Sequence, residues 1–387
     1  MTQSENNFIG MLRLSLGLSA ETEALDAAAV SELAQRHSVS NLLYYGAKKL
    51  PPEQQPEPAR MKQWREYAVG AGMRDAIQQR ELAELLDAAE REQIDVLPLK
   101  GAEIKNLYPQ PEMRFMSDTD LLIRPAQAKQ MRSCMTALGF RCVKFGVGDT
   151  DLYLSPLAMN YEVHRDLSEE GITPTARHFL SRLMNLAEPV NGRSHILSLP
   201  CEEHYAYVLC HMAKHLRKGG TGVRSVMDVR ICRTRWPLDE VRLNALLDEL
   251  CLTRFARTAE RLAAFWFGNE QADADASALG DYILGNAVFG TAEQTVLDDL
   301  VERKRGYLLH RLFPPFAQMA YNYPVLKKCK LLLPAVWLWR IVCTGLFRRK
   351  KLTLELSVYR SADGETLRAH AEFLERCGLF GDNGGKL

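Results

Sequence analysis

Two aspartates one residue apart, Asp118 and Asp120, open an apolar run, Met113-Arg114-Phe-Met-Ser117-Asp118-Thr-Asp120-Leu-Leu-Ile123. In an extended strand alternate side chains share a face, so both carboxylates project to one side while Thr119 and Leu121 point to the other. Paired hard oxygen donors suit Mg²⁺, which is commonly held by one or two carboxylates together with substrate phosphates and water. A third acid stands in Met159-Asn-Tyr161-Glu162-Val163-His164, where Glu162 and His164 share a face. If that strand pairs beside the Asp118 strand, Asp118, Asp120 and Glu162 form one cluster. Upstream, Leu97-Pro-Leu-Lys100-Gly101 leads from an apolar strand into a helix-sized segment. A helix start offers unsatisfied backbone N–H groups, and a glycine lets phosphate approach closely. Lys-Gly alone reads as an ordinary strand-to-helix turn; the acidic pair that follows tilts the reading towards phosphate.

Other residue types carry two readings each. Arg114, just ahead of the acidic strand, suits bidentate contact with a triphosphate, and equally an internal ion pair that orients Asp118. Ser117 starts the strand. His164 reads as a hydrogen-bonded core residue or as a group that orients Glu162. Further on, Glu203-His204-Tyr-Ala-Tyr207-Val-Leu-Cys-His211-Met-Ala-Lys214-His215 puts His211 and His215 on one helix face, a spacing known from metal sites, with Asp228 as a candidate third ligand. Met212 stands where a zinc peptidase needs glutamate, which disfavours catalytic zinc.

The elements that must position these groups follow in order. Residues 8 to 50 are Leu- and Ala-rich and read mostly as helix, Pro51 to Pro58 as a linker, and Met61 to Gln93 as one long amphipathic helix with Tyr67, Met73, Ile77, Leu82, Leu85, Leu86 and Ala89 on its apolar side. Ile94 to Leu99 reads as a strand and Ala102 to Tyr108 as a short helix. Pro125 to Leu138 reads as a helix ended by Gly139, with strands at Phe140 to Val147 and Asp151 to Leu157. From Cys201 the pattern is almost wholly helical. The expectation is an α+β chain: N-terminal helices over 1–90, a small α/β head with a mixed sheet over 91–200, and an α-helical C-terminal domain over 201–387.

A chain of 387 residues with 47% hydrophobic and 25% charged residues buries a core, so disorder is excluded as a default. With a net charge of +1, any basic surface must be local. That surface is the segment 325–354, with eight Lys or Arg and no acidic residue around an apolar stretch containing Arg340. The stretch is too short and broken to span a bilayer. It reads as a packed helix with a basic rim, as an interfacial membrane helix, or as a docking site for RNA or another polyanion, with packing the commonest outcome. Nine cysteines without a Cys-x-x-Cys pair, and an N-terminus without a basic region, point to the cytoplasm.

Taken together, Leu99-Lys100-Gly101, Leu107-Tyr108, Arg114, Ser117-Asp118-Thr119-Asp120-Leu121-Leu122 and Glu162-Val163-His164 resemble the uncharacterised nucleotidyltransferase family of the DNA polymerase beta-like superfamily, over roughly residues 90 to 235. The departure is Gly101-Ala102, where the superfamily usually has Gly-Gly or Gly-Ser. The resemblance implies an enzyme that moves a nucleoside monophosphate from an NTP such as ATP to a hydroxyl, releasing pyrophosphate. It implies Asp118, Asp120 and Glu162 as ligands of two Mg²⁺ ions, with Mn²⁺ as substitute. Lys100, Gly101, Arg114 and Ser117 would sit at the phosphates, Lys214 and His215 at phosphate or base, and His164, His211 and Asp228 behind them. The acceptor is open among a protein, an RNA, a sugar and a nucleotide. The competing readings are a phosphoryl or pyrophosphoryl transferase using the same ions, and a non-catalytic binding module.

Overall fold

The computed structural model describes residues 1–22, 24–168, 171–286, 296–297, 300–301, 307–323, 325–347 and 349–379. Arg348, part of the basic segment, lies outside the described residues. The N-terminal region folds into helices α1 (Gln3–Ser15), α2 (Ala27–Arg36) and α3 (Leu43–Ala47). Thr2 and Glu5 close a capping box at the start of α1, and Asp26 accepts from Ala28 N and Ala29 N at the start of α2, which is why these helices begin where they do.

Helix α4 (Pro58–Arg91) is one continuous 34-residue element, as its periodicity predicts; of its predicted apolar side, Leu85 and Ala89 are buried and Ile77, Leu82 and Leu86 pack against the sheet core. Trp64, Ala68, Ala71, Gln78, Glu81, Leu85, Ala88 and Ala89 are buried, whereas Tyr67 and Met73 are exposed. The interior is reached through small alanines and through polar groups with backbone to serve: Gln78 Nε2 donates to Met116 O (3.2 Å), and Glu81 Oε1 accepts from Leu157 N (3.3 Å). A hydrophobicity count gives such positions to solvent.

The strands β1 (Val96–Pro98), β2 (Asp118–Ile123), β3 (Arg141–Lys144), β4 (Thr150–Leu154) and β5 (Asn160–His164) form one mixed sheet in the order β1-β2-β5-β4-β3. Between them lie the short α5 (Gly101–Ile104) and α6 (Ala128–Ala137). The strands β3, β4 and β5 are the predicted antiparallel meander, and β5 returns parallel to β2. One sheet face, with Leu121, Ile123, Tyr153, Tyr161 and Val163, is buried against Leu85, Ala88 and Ala89 of α4 and Met131 and Met135 of α6. Period-two alternation therefore turns Asp118, Asp120, Glu162 and His164 to the other face.

After α7 (Pro174–Ser181), α8 (Leu183–Leu186) and a two-stranded ribbon of β6 (Glu188–Pro189) and β7 (Leu197–Ser198), the chain is helical: α9 (Cys201–Leu216), α10 (Val223–Arg235), α11 (Glu240–Glu249), α12 (Thr253–Phe267) and α13 (Ala274–Asn286), then further helices to Arg376. Gly219 and Gly220, both at positive φ, form the loop that ends α9. A continuous apolar cluster joins α1 to α3, Leu97, Leu99 and Leu122 of the head, and α9 to α13. No described helix is long and apolar enough to cross a membrane.

Candidate active site

Parallel pairing of β2 with β5 sets Asp120 directly opposite Glu162 and Asp118 opposite Asn160. Partners in a parallel register project to the same side, so Asp120 and Glu162 meet although 41 residues separate them in sequence. Two residues further along β5, His164 reaches back to the same place. Asp120, Glu162 and His164 each offer a ligand atom, and all lie within 4.8 Å of one another. Two carboxylate oxygens and an imidazole nitrogen at that separation fit a divalent cation. Asp118 sits at the mouth of this face, where Ser117 Oγ donates to its Oδ1 (3.0 Å), and it is not one of the three converging groups.

His164 is better placed to orient Asp120 than Glu162. Its Nε2 lies 3.0 Å from Asp120 Oδ1 and 3.8 Å from Glu162 Oε2, while Nδ1 lies 3.1 Å from Thr150 Oγ1. An ionised carboxylate only accepts, so Nε2 donates to Asp120. The second cation at Asp120 is Lys100, with Nζ 3.7 Å from Oδ2 and 5.4 Å from the centroid of the Tyr207 ring. Burial works to raise the Asp120 pKa, but the Lys100 charge, the His164 hydrogen bond and the His164 and His211 charges outweigh it and hold this carboxyl well below the usual range. Glu162 is pushed the other way, first by burial and then by the Asp120 and Asp118 charges, against weaker pulls from His164 and Lys100. The two facing acids thus differ: one is fixed as an anion, the other is an anion held at a cost.

Lys100 has φ +42°, a backbone state that side-chain-bearing residues seldom adopt, and here it directs the strand into the α5 turn beneath the carboxylates. The glycine that follows has a steric task as well. A Cβ on Gly101 would overlap Arg114 Nη1 and Met116 Sδ, so its smallness makes room for a buried guanidinium. Helix α5 spans only four residues, too short for a strong terminal dipole.

Arg114 forms an internal ion pair, though with Asp228 of α10 rather than with Asp118. Its Nε donates to Oδ1 (2.8 Å) and its Nη2 to Oδ2 (2.7 Å), and Tyr108 Oη donates to Oδ1 (2.7 Å). With three donors on it, Asp228 is engaged in the interior and is no partner for His211 and His215, whose rings lie 4.4 Å apart on α9. Lys214, on the same helix, is half-buried.

Sequence reasoning missed how the approach to Asp118 is held. Asn41 Nδ2 donates to Glu112 O (2.9 Å), Tyr45 Oη to Glu112 Oε1 (2.9 Å), Arg74 to Met116 O and Ser117 O (3.0 and 2.7 Å), and Arg224 Nη1 to Phe115 O (2.6 Å). These donors come from α4, the segment before it and α10, so helices on both sides of the head fix the loop that delivers the acidic pair. The segment Phe115 to Ser117, outside any helix or strand, leaves carbonyls that need such donors.

No curated protein and no solved structure matches the chain. A family model does match, and the family is described as "Uncharacterised nucleotidyltransferase". The match extends over residues 23–268, beyond the head into the N-terminal helices and α4 on one side and α9 to α12 on the other, and so includes Asn41, Tyr45, Arg74, Arg224 and Asp228. Over the greater part of its length, and with an acidic face built from β2 and β5, the chain belongs to this uncharacterised nucleotidyltransferase family.

Proposed function

We propose that this chain transfers a nucleoside monophosphate from an NTP to a hydroxyl acceptor with release of pyrophosphate, in the cytoplasm. The observation that supports this best is the in-register facing of Asp120 and Glu162 across parallel strands, with Asp118 on the same sheet face. On this reading Asp118, Asp120 and Glu162 hold Mg²⁺, as two ions, with Mn²⁺ as a substitute. The chemistry such cations supply is neutralisation of the triphosphate and acidification of the attacking hydroxyl. The chain's own residues bind and orient. Asp120 stays ionised through Lys100 and His164. Glu162, with its raised pKa, is the group suited to accept the hydroxyl proton. Lys100, between Asp120 and the Tyr207 ring, is the cation placed to exchange its carboxylate for a phosphate. Gly101 and Ser117 line the approach to that phosphate, and Lys214, His215 and His211 on α9 stand over phosphate or base. Asp228 with Arg114 serves as a strut beneath them.

Calorimetric titration of each NTP, with Mg²⁺ or with EDTA, into the wild type and into the Asp118→Asn, Asp120→Asn double variant tests the proposal. Mg²⁺-dependent binding that the double variant loses while still folded is the expected result. NTP binding that persists in EDTA and in the double variant refutes the metal-held site, and binding without transfer to any acceptor assigns the fold to a docking module.

A further inference from the structure

The basic segment packs as a helix, but on one side only. Its apolar stretch forms a 3₁₀ turn, Lys330–Leu332, and a helix, Leu333–Phe347. The inner side is held by the protein. Val336 and Trp337 pack against the cluster of Met319, Ala320 and Leu326, and Trp337 Nε1 donates to Pro314 O (3.0 Å). Arg340, the residue that makes this stretch a poor lipid segment by sequence, turns inward and donates from Nη1 to Arg311 O (2.8 Å).

The outer side is apolar as well. Leu331 is 89% exposed, Leu338 65%, Trp339 62% and Val342 46%, and Ala335 is exposed between them. The spacing i, i+4, i+7, i+8, i+11 makes these one stripe along the helix. A helix apolar on both sides belongs in a low-dielectric surrounding, and this one has protein on only one side. Lys328 and Lys330 are exposed before the stripe, and the sequence after it continues with Arg349, Lys350 and Lys351. At about 1.5 Å per residue its 15 residues extend about 22 Å, short of the roughly 30 Å hydrocarbon core, so the stripe can lie in a bilayer surface and cannot cross it.

We infer that the outer face of this helix docks on a membrane surface containing anionic lipid, with Leu331, Leu338, Trp339 and Val342 in the acyl boundary and the flanking lysines at the headgroups. Charge selects this occupant. Between Val325 and Leu354 there is no acidic residue, so a second copy, laid parallel or antiparallel, would set lysines and arginines against each other at both ends. The surface between the cations is aliphatic with a single indole, which suits acyl chains rather than the stacked bases of a nucleic acid.

The test uses the full chain and sedimentation with vesicles of phosphatidylcholine, with or without phosphatidylglycerol. Co-sedimentation with the phosphatidylglycerol vesicles alone, declining as salt rises, is expected. The Leu338→Gln, Trp339→Gln variant, altered only at exposed positions, should melt like the wild type and lose about tenfold or more in partitioning. Lys328→Gln with Lys330→Gln should weaken binding and flatten its salt dependence. The inference is overturned by absence of sedimentation at low salt, or by unchanged partitioning of the apolar variant. It is overturned too by a dimer that Leu338→Gln dissolves, which gives the face to a second copy. A salt-dependent complex with single-stranded RNA that survives the apolar substitutions, without vesicle binding, gives it to a polyanion.

Discussion

Replacing Arg114 separates the two readings of it, triphosphate ligand and internal strut, and the structure sets the size of the effect. In the Arg114→Met variant, Asp228 keeps one hydrogen bond, from Tyr108 Oη, and loses the two from Nε and Nη2 that neutralise it. The side chains of Arg114 and Asp228 are 9% and 7% exposed, so water cannot take the place of the lost partner. A buried pair broken from one side costs about 3–5 kcal/mol, because a charge is left uncompensated. Asp228→Leu should cost a similar amount by leaving the guanidinium stranded beside Gly101. The double variant Arg114→Met, Asp228→Leu leaves neither charge behind; its remaining cost is the unmade bond of the Tyr108 hydroxyl, about 1–3 kcal/mol. The double variant is therefore more stable than either single one. Urea denaturation midpoints of the four proteins measure this directly, with NTP titration on the folded forms alongside. Additive losses in the double variant, or an Arg114→Met protein within about 0.5 kcal/mol of wild type that no longer binds NTP, would refute the strut and return Arg114 to the phosphates.

Opposite pKa shifts predict opposite stability effects at the facing acids. Asp120 titrates below its ordinary value in the fold, so its contribution is present above about pH 4 and lost as pH falls through the folded value. Asp120→Asn should therefore lower the melting temperature at pH 7, with a difference that narrows in acid. Glu162 titrates above its ordinary value, so the stability tied to its protonated form is complete below about pH 4 and lost as pH rises through the raised value. Glu162→Gln should raise the melting temperature at pH 7 in EDTA and confer nothing below about pH 4, while weakening Mg²⁺-dependent NTP binding; thermal melts across pH read both signs. Gly101→Ala should cost about 1–3 kcal/mol by pressing a methyl group on Arg114 and Met116, and the Arg114→Met background should relieve part of it. Thr150→Val removes the hydroxyl behind His164 and should leave folding within about 1.5 kcal/mol of wild type while reducing Mn²⁺ affinity by about tenfold, as titration of the apo protein would show.

What could be read in the sequence is what period two and local chemistry control. Asp118 and Asp120 share a face because strands alternate, and Glu162 joins Asp120 because an acid two residues before the strand end is in register with an acid two residues into its neighbour. The meander, the long α4 and the helical body follow from the same periodicities. Contacts between distant elements had no such signal. Nothing near Arg114 names Asp228, and the reason for Gly101 lies in side chains that reach it from residues 114 and 116. The polar part of the buried side of α4 had no signal for a related reason: Gln78 and Glu81 point inward to meet the backbone at Met116 and Leu157, and only the folded chain puts those groups there. Exposure was the other unreadable quantity. The helix after Leu332 is apolar enough to be packed on every side, and the number of sides a neighbour covers is a tertiary fact.

The arrangement also explains why the family match spans more than the acidic head. The sheet alone supplies Asp118, Asp120, Glu162 and His164, but Asp120 depends on Lys100, and Lys100 stands against Tyr207 of α9. The loop that carries Arg114 to Ser117 is fastened by Asn41, Arg74 and Gln78 on one side and by Arg224 and Asp228 on the other. Removing the helices on either side would leave the acids on their strands and unfasten the segment that starts β2. An isolated head should therefore lose the fixed position of Asp118 and, with α4 gone, the cover of its buried sheet face. Both sets of helices are thus part of the site, because a pair of carboxylates is useful against a triphosphate only when the backbone beneath it does not move.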